Sequence, residues 1–346
     1  MSPNRRAVIT SAPALLFALS ACSTGSAADS GSAAKGGGSA SAEPGAFPVT
    51  LEHAFGRTEI TEAPTRIATV GWNDHDVLAS FGVLPVGATK ITWGGNQHGS
   101  TDWFDEAVKE IDPDAKIVRY DDTDGIPVDE IAKLTPDLVL GVNSGLTKED
   151  YQKLSKIAPT VAYPELAWGT PWEVSVTMIG KAIGRPDQAG KLIGETNRLI
   201  DDAVAEHSEV KGKSVAWLSF SPTDKSKIDI YTSIDLRPQL LRRFGMEDAA
   251  IVKKNSKDDA FFFSVSAEKA RDIDADVVIF YVESDKQVDT IKNDPLLGRI
   301  PAIERGSFVA SADNSVAMTM SSPSPISMEV AVTQFLPEVA DAAKAV

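Results

Sequence analysis

Apolar residues recur at intervals of three and four along one stretch near the middle of the chain, from Pro186 to Glu209. This interval predicts a helix with one buried face. Gly184 favours the end of a preceding helix, Pro186 suits a first helical turn, and Asp187 complements the positive end of the helix dipole. We therefore predict one long helix within residues 185–209, with a buried face formed by Ala189, Leu192, Ile193, Thr196, Ile200, Ala203 and Val204.

Short apolar runs alternate with helical patterns in the part of the chain before this helix. Such an alternation predicts a parallel sheet with helices on both faces. We expect strands at 66–70, 86–88, 137–140 and 160–163, and helices at 75–81, 128–134 and 148–157.

The part of the chain after the long helix repeats the same rhythm. We expect a strand at 214–220, a helix at 238–244 and a closing helix at 325–343. Two segments also recur at matching places in the two halves, 81–83 with 244–246 and 129–139 with 268–278. The predicted fold is α/β, with two Rossmann-like lobes (48–184 and 210–346) that have parallel-type sheets and are joined by one long interlobe helix.

The start of the chain is typical of an export signal. A basic pair, Arg5-Arg6, precedes an apolar stretch at 12–19, and Leu19-Ser20-Ala21-Cys22 places the only cysteine after small residues. This order resembles a bacterial lipobox, whose cysteine is lipidated and begins the mature protein. A buried structural cysteine is the alternative, and both Sec and twin-arginine export stay open. We expect a signal peptide at 1–22, and a flexible tether at 23–47 because its Ser, Gly and Ala bury too little apolar surface to fold.

Composition narrows the function further. The 346 residues carry a formal charge of −15, with 42% hydrophobic residues, which suits a soluble protein of about two domains. This negative charge argues against nucleic acid as a partner, because binding phosphates requires a cationic face. A single cysteine allows no disulfide within the chain. No apolar run reaches the roughly 18 residues needed to span a bilayer.

Six short motifs are distributed over both halves of the chain: Pro64-Thr65-Arg66-Ile67-Ala68, Phe81-Gly82-Val83-Leu84-Pro85-Val86-Gly87, Pro136-Asp137-Leu138-Val139-Leu140-Gly141, Leu154-Ser155-Lys156-Ile157-Ala158-Pro159-Thr160-Val161, Ile179-Gly180-Lys181-Ala182-Ile183-Gly184-Arg185 and Asp294-Pro295-Leu296. Together they resemble the helical-backbone class of substrate-binding proteins of bacterial ABC importers, in the ferric-siderophore group. The resemblance covers essentially the whole mature chain. It implies a lipid-anchored protein on the extracytoplasmic face of the membrane that delivers its ligand to a permease.

The resemblance also implies that one acidic residue at a helix start in each lobe docks onto arginines of the permease. Glu268 occupies this position in the second lobe. In the first lobe the position falls on Asp129, where the family usually has Glu, and Glu130 follows it, so either residue is a candidate. Stabilisation of the helix dipole is the alternative role for all three.

A ferric siderophore is a wide, partly apolar disc, so its site needs aromatic faces and a few hydrogen-bond donors. Ligands of parallel sheets bind at the carboxyl ends of the strands, and side chains near those ends are therefore the candidates. Arg237 is expected to pair with ligand oxygens or to lie at the surface of a helix start, and Asn143 and Ser144 to donate to the ligand or to form a turn. The aromatic candidates, each alternatively a core or rim residue, are Trp72, Trp93, Trp168, Trp217, Tyr231 and Tyr281.

Direct metal binding is not expected, because the four histidines (His53, His75, His98 and His207) show no ligand spacing. We therefore expect no directly bound cofactor, and an Fe(III)–siderophore complex as the ligand. Few arginines lie near the loops to bind a negative catecholate complex, which favours a hydroxamate-type siderophore. Haem or cobalamin on the same scaffold is the alternative, with His75 or His98 as a haem ligand.

An enzyme is not expected. The sequence contains no Gly-x-Ser-x-Gly nucleophile elbow, no P-loop and no dinucleotide-binding fingerprint. A secreted hydrolase is the weaker alternative. The expected partners are the siderophore, the permease and, through the lipid, the membrane, and the protein itself is expected to be a monomer.

Overall fold

The computed structural model describes residues 41–221, 224–257 and 259–346. The predicted signal peptide, Cys22 and the predicted tether up to residue 40 lie outside these residues. The described part of the chain forms two α/β lobes connected by one long helix, as predicted. None of its helices is both long and apolar enough to cross a membrane.

The first lobe contains the elements β1 (Val49–His53), β2 (Gly56–Ile60), β3 (Ile67–Thr69), α1 (Asp74–Ser80), β4 (Gly87–Thr89), α2 (Asp102–Ile111), β5 (Val118–Tyr120), α3 (Val128–Lys133), β6 (Leu138–Gly141), α4 (Lys148–Leu154), β7 (Thr160–Ala162) and α5 (Trp172–Ala182). Strands β5-β4-β3-β6-β7 form a five-stranded sheet in this order, and every pair is parallel. This confirms the parallel sheet predicted for the first lobe. The β1–β2 hairpin, α2 and β5 were not predicted.

A single helix, α6 (Pro186–Glu206), connects the lobes and spans about 31 Å at 1.5 Å per residue. Gly184, with φ of +73°, ends the preceding turn, and Pro186 occupies the first turn of the helix, as predicted. The predicted buried face is confirmed, since its fully buried residues are Ala189, Thr196, Ile200 and Val204.

The folded body begins a few residues before Pro48. Glu43 accepts hydrogen bonds from the backbone N–H groups of Asp187 and Gln188, both at 2.9 Å, and thereby caps α6. Phe47 packs so closely against Gly184 that a Cβ atom on this glycine would lie 2.4 Å from the phenyl ring. Residues 43–47 therefore belong to the folded body, which corrects the predicted end of the tether.

The second lobe contains the elements β8 (Ser214–Phe220), β9 (Lys227–Tyr231), α7 (Leu236–Arg243), β10 (Glu247–Asp248), α8 (Ala250–Asn255), β11 (Phe262–Ser266), β12 (Val277–Tyr281), α9 (Asp285–Lys292), α10 (Pro301–Arg305), β13 (Phe308–Ser311), α11 (Asn314–Ser321), α12 (Pro325–Val330) and α13 (Leu336–Ala343), with 3-10 turns at Ser208–Val210, Ala267–Asp272 and Leu297–Arg299. Its sheet has the order β11-β9-β8-β12-β13, with β10 beside β8. Strands β8, β12 and β13 are parallel, but β9 is antiparallel to both of its neighbours. The predicted parallel sheet is therefore wrong at this edge, because the connection from β8 to β9 is too short for a crossover helix.

The segments that recur in the sequence occupy equivalent places in the two lobes. Gly82 and Gly245 both have positive φ and end a helix, and the N–H of the next residue bonds the carbonyl group five positions earlier, at 3.0 and 3.1 Å. Asp137 and Asp276 form hydrogen bonds at the start of the neighbouring strand, β3 and β8 respectively. Each accepts hydrogen bonds from the backbone N–H and the hydroxyl group of one residue, Thr65 and Ser214 respectively.

One hydrophobic core extends through both lobes. It includes residues of α1, α5, α6, α7, the first-lobe sheet, the second-lobe sheet and the C-terminal helix. Within it Trp217 of β8 stacks on Phe335, with ring centroids 5.4 Å apart. The C-terminal helix runs from α12 through a π-helical turn (Ala331–Phe335) into α13, as predicted for 325–343 apart from the turn. Pro337 follows this turn and lacks the N–H that a regular α-helix would need there.

Candidate ligand-binding site

Two tryptophans of the first lobe form an aromatic surface at the carboxyl ends of its strands. Trp72 follows β3 and Trp168 follows β7, and their ring centroids lie 5.3 Å apart. Trp168 is 40% exposed and has φ of +61°, a strained conformation for a residue other than glycine. A large aromatic side chain that is held exposed by a strained backbone keeps Trp168 a candidate for a ligand contact.

Buried polar groups hold these tryptophans in place. The backbone N–H of Trp72 donates to the carbonyl group of Asn143, and that of Trp168 donates to Ser144, both at 3.0 Å. The Asp74 carboxylate accepts two backbone N–H groups of the same loop, at 2.8 and 3.1 Å. Asn143 and Ser144 are only 1% and 0% exposed. They support the loop rather than contact a ligand, which corrects the donor role considered for them.

In the second-lobe part of the candidate site, Arg237 makes hydrogen bonds to several surrounding side chains. Its Nη1 donates to both carboxylate oxygens of Asp235, at 2.9 and 2.8 Å. Its Nε donates to the hydroxyl groups of Tyr281 and Ser321, at 2.8 and 3.1 Å, and its Cζ lies 4.1 Å from the ring centre of Tyr231. Its Nη2 has no acceptor among the described residues. The guanidinium group is therefore fixed on three sides and has one nitrogen left for a ligand.

The electrostatic surroundings keep Arg237 charged. Burial alone lowers the pKa of Arg237, but Tyr281, Asp235 and Tyr231 oppose this effect and leave the pKa above its usual value. Burial likewise raises the pKa of Asp235, and the charge of Arg237 opposes that rise. The side chains form a buried ion pair rather than two isolated charges.

The lobes touch at an aromatic contact beside this arginine. Trp93, in the loop after β4, lies edge-to-face against Tyr281, with ring centroids 5.1 Å apart. The next residue of the loop packs closely on α11, since a Cβ atom on Gly94 would lie 2.6 Å from the carbonyl oxygen of Asn314. Tyr281 also bonds Arg237, so residues of both lobes meet at one place.

Trp217 supports this contact from the core. It is 1% exposed, because it lies in the middle of β8 rather than at its end, and its side chain is on the face covered by the C-terminal helix. Its ring centroid lies 5.4 Å from that of Tyr281. Trp217 therefore positions Tyr281, which corrects its predicted role as a direct ligand contact.

Phe262 is a candidate that was missed in the sequence. It is the cross-strand partner of Tyr231 in the antiparallel pair of β9 and β11, and side chains of such partners share one face of the sheet. It is also 53% exposed. The run Phe261-Phe262-Phe263 gave a signal in the sequence, but only the register of the strands shows that Phe262 extends the aromatic surface of Tyr231.

The histidines considered as haem ligands do not lie together. His75 is 1% exposed and packs edge-on against Phe104, with centroids 4.7 Å apart, so it is not accessible to a ligand in this structure. Burial lowers the pKa of His75 well below its usual range, and Arg119 adds to this effect. His98 is exposed in the loop that carries Trp93. Among the described residues, no group of three or more His, Cys, Asp or Glu side chains is arranged to hold a metal ion.

The three acidic residues expected to dock onto a permease are all exposed. Asp129 and Glu130 lie in the first turn of α3. Glu268 lies in the first turn of the 3-10 helix that precedes β12, at the equivalent place of the second lobe. Each is free to meet a partner, and each also lies at the positive end of a short helix, so the structure is compatible with both of the roles considered.

The model of a protein family described as periplasmic binding protein matches residues 67–313, which include most of both lobes and all of α6. The chain belongs to this family. PiaA of Streptococcus pneumoniae TIGR4, solved in complex with ferrichrome, is 36% identical and has a TM-score of 0.80, over 86% of this chain and 99% of PiaA. A periplasmic solute-binding protein of Mycobacterium smegmatis is 28% identical and has a TM-score of 0.72, over 85% and 98% of the two chains.

A relative in Bacillus subtilis (strain 168), named "Probable siderophore-binding lipoprotein YfiY", is 26% identical over 269 residues, which are 74% of this chain and 78% of YfiY. The resemblance inferred from the sequence motifs is thereby confirmed. The family and its structural neighbours are solute-binding proteins, which also confirms the expectation that this chain is not an enzyme.

Two buried carboxyl groups contribute to the pH dependence of the stability of this periplasmic binding protein. Burial raises the pKa of Asp74 and of Asp76 to about 6, although hydrogen bonds to each carboxyl group oppose the rise. Between about pH 4 and about pH 6, the folded state therefore holds protons that the unfolded state has released. The contribution of each group to the free energy of unfolding falls by about 3 kcal/mol as the pH rises through this window.

Asp76→Asn should remove one of these two contributions. Asp76 Oδ2 accepts from Trp103 Nε1 at 2.7 Å and from Ser324 Oγ at 3.0 Å, and an amide oxygen can keep both bonds. We expect the variant to gain stability relative to the wild type as the pH rises from about 5 to about 7, measured by urea unfolding at each pH. The exposed Asp114→Asn is the matched control. A stability difference between Asp76→Asn and the wild type that stays constant with pH would contradict the prediction.

Proposed function

We propose that this protein is a lipid-anchored, extracytoplasmic receptor that captures a ferric siderophore between its lobes and delivers it to the permease of an ABC importer. The observation that carries the proposal is Arg237. It is held by Asp235, Tyr281 and Ser321 and stacked against Tyr231, and its Nη2 is unoccupied among the described residues. A rigid donor between aromatic rings suits a ligand that has an apolar body and a few exposed oxygens.

The aromatic residues of both lobes supply the apolar faces of the site. In this proposal the ligand contacts are Arg237 together with Trp72, Trp93, Trp168, Tyr231, Phe262 and Tyr281. Arg237 donates to oxygens bound to the iron, and the rings cover the apolar part of the chelator. PiaA, which was solved with ferrichrome, and the siderophore-binding name of YfiY support an iron chelate as the ligand, with the hydroxamate type favoured.

The remaining parts of the proposal concern the membrane. Cys22 carries the lipid after export, and the protein acts as a monomer on the extracytoplasmic face. Asp129 or Glu130 in one lobe and Glu268 in the other contact basic residues of the permease. Their exposure at equivalent helix starts of the two lobes supports one contact per lobe.

Replacement of Arg237 by Lys should weaken ligand binding by at least about tenfold, because it removes the outward nitrogen and the stacked guanidinium plane but keeps a cation beside Asp235. The measurement is quenching of tryptophan fluorescence during titration with ferrichrome, a ferric tris-catecholate, haem and cobalamin. Saturable quenching of the wild type by ferrichrome is expected.

Arg242→Lys is the matched control for this experiment, since Arg242 lies on the same helix and also pairs with a buried carboxylate, that of Asp248. It should leave the affinity unchanged. Equal effects of the two substitutions would argue against Arg237 as a ligand contact, and saturation by haem alone would contradict the siderophore.

Removal of the docking acids should separate transport from binding. We expect Asp129→Ala combined with Glu130→Ala, and separately Glu268→Ala, to reduce cellular uptake of the ferric siderophore at least about tenfold, because each removes a charge partner of the permease. The affinity for the ligand should not change. The single variants of Asp129 and Glu130 identify which residue docks, and Glu149→Ala, an exposed acid on α4, is the control. Loss of ligand affinity in these variants would refute a docking role.

A further inference from the structure

Asp235 has two functions at the start of α7. It is the N-cap of the helix, since its Oδ1 accepts the backbone N–H of Arg237 at 2.9 Å. It is also the counter-ion of Arg237, whose Nη1 donates to both of its oxygens. The side chains of the two residues are only 9% and 13% exposed. The carboxylate accepts three hydrogen bonds, two of them from the paired guanidinium group, and these favour its ionised form against the effect of burial, which raises the pKa of Asp235.

This ion pair leaves the site without a net positive charge. Among the described residues, the groups that act electrostatically on Arg237 are Asp235 and the hydroxyl groups of Tyr231 and Tyr281, which are neutral at physiological pH. Asp229, which acts on Tyr231, adds a negative group rather than a second cation. Arg237 can therefore donate a hydrogen bond without presenting an uncompensated charge.

Ferric complexes differ in charge according to their chelating groups. Three singly charged hydroxamates cancel the charge of Fe(III), whereas three doubly charged catecholates leave an excess of three negative charges. An uncharged complex can accept the hydrogen bond of Arg237 Nη2 at no electrostatic cost from the ion pair. An anionic complex is also repelled by Asp235, and in a partly buried site this repulsion is much stronger than in water.

We propose that Asp235 is a specificity-determining residue, which neutralises Arg237 and so makes the site prefer uncharged ferric complexes over anionic ones. The inference rests on the proposed function and adds to it the residue that sets the charge of the ligand. Asp235 acts through Arg237 and need not touch the ligand itself.

Asp235→Asn tests this role directly. Asparagine is an equally good N-cap, and its one acceptor oxygen can keep the bonds from the Arg237 backbone N–H and Nη1. The substitution therefore removes the charge and one of the two hydrogen bonds from Nη1. The affinities of the wild type and the variant are measured at one fixed, low ionic strength for ferrichrome and for a ferric tris-catecholate. We expect the ratio of the affinity for the tris-catecholate to the affinity for ferrichrome to increase at least about tenfold.

Asp248→Asn is the matched control. Asp248 is also buried and accepts two bonds from Arg242 Nη1, at 3.0 and 2.8 Å, at the other end of α7. The Asp248→Asn substitution removes the same charge from the protein and should leave the ratio of the two affinities unchanged. Asp235→Ser, a second neutral N-cap, replaces the asparagine variant if thermal unfolding shows that the latter does not fold.

An unchanged ratio of affinities in folded Asp235→Asn, or the same shift in Asp248→Asn, would overturn the inference. Loss of binding of both complexes by a folded Asp235 variant would also overturn it, since the role would then be structural. The proposed function fails separately, if the wild-type protein binds neither complex. If the wild type binds ferrichrome and the Asp235 variants show the same preference for ferrichrome over the tris-catecholate, the inference is refuted but the proposed function is not.

Discussion

The hydrophobic core that the two lobes share is the constraint on which the rest of the structure depends. Ile200 and Val204 of α6 belong to the same cluster as Trp217 of the second-lobe sheet and Phe335 of the C-terminal helix. An interface between domains allows them to move unless it is large and apolar, and here one apolar cluster runs through both lobes. The geometry of the cleft should therefore be set before a ligand arrives, with local adjustment confined to contacts such as that of Trp93 with Tyr281.

Each lobe positions its part of the site with one buried carboxylate at a helix start. Asp74, in the first turn of α1, ties down the loop that carries the backbone partners of Trp72 and Trp168. Asp235, which caps α7, orients Arg237. Buried charges are costly unless all their hydrogen bonds are made, so these groups stabilise one arrangement of the site more than they stabilise the fold as a whole. The geometry of the site therefore depends on these two buried carboxylates as much as on the side chains that face the cleft.

The fold was largely predictable because its main signals are local. The three-to-four spacing of α6 and the recurring segments around Gly82 and Gly245 depend on near neighbours in the chain, and the structure places them as expected. Helix α2 was missed although Thr101 caps it by accepting the N–H of Phe104, because the preceding loop is rich in glycine and aromatic residues. The antiparallel edge of the second sheet depends on strand pairing, for which the sequence holds no short-range signal.

The site was predictable only in part, for the same physical reason. Arg237 and Tyr281 could be named as candidates because strand ends can be located from local patterns, and the structure joins the two by a hydrogen bond. Whether a side chain near a strand end faces the cleft or the core depends on distant elements. Trp217 is covered by Phe335, more than a hundred residues away in the chain. Phe262 becomes a candidate only because the strand register places it opposite Tyr231.

The central claim, that a shared core fixes the cleft before the ligand binds, is tested most directly by small-angle X-ray scattering of the protein with and without saturating ferrichrome. We expect the radius of gyration to stay the same within experimental error, because closing the lobes as rigid bodies would disrupt the packing around α6 and the C-terminal helix. A large compaction on saturation would contradict the claim and would mean that the lobes move about α6 despite their common core.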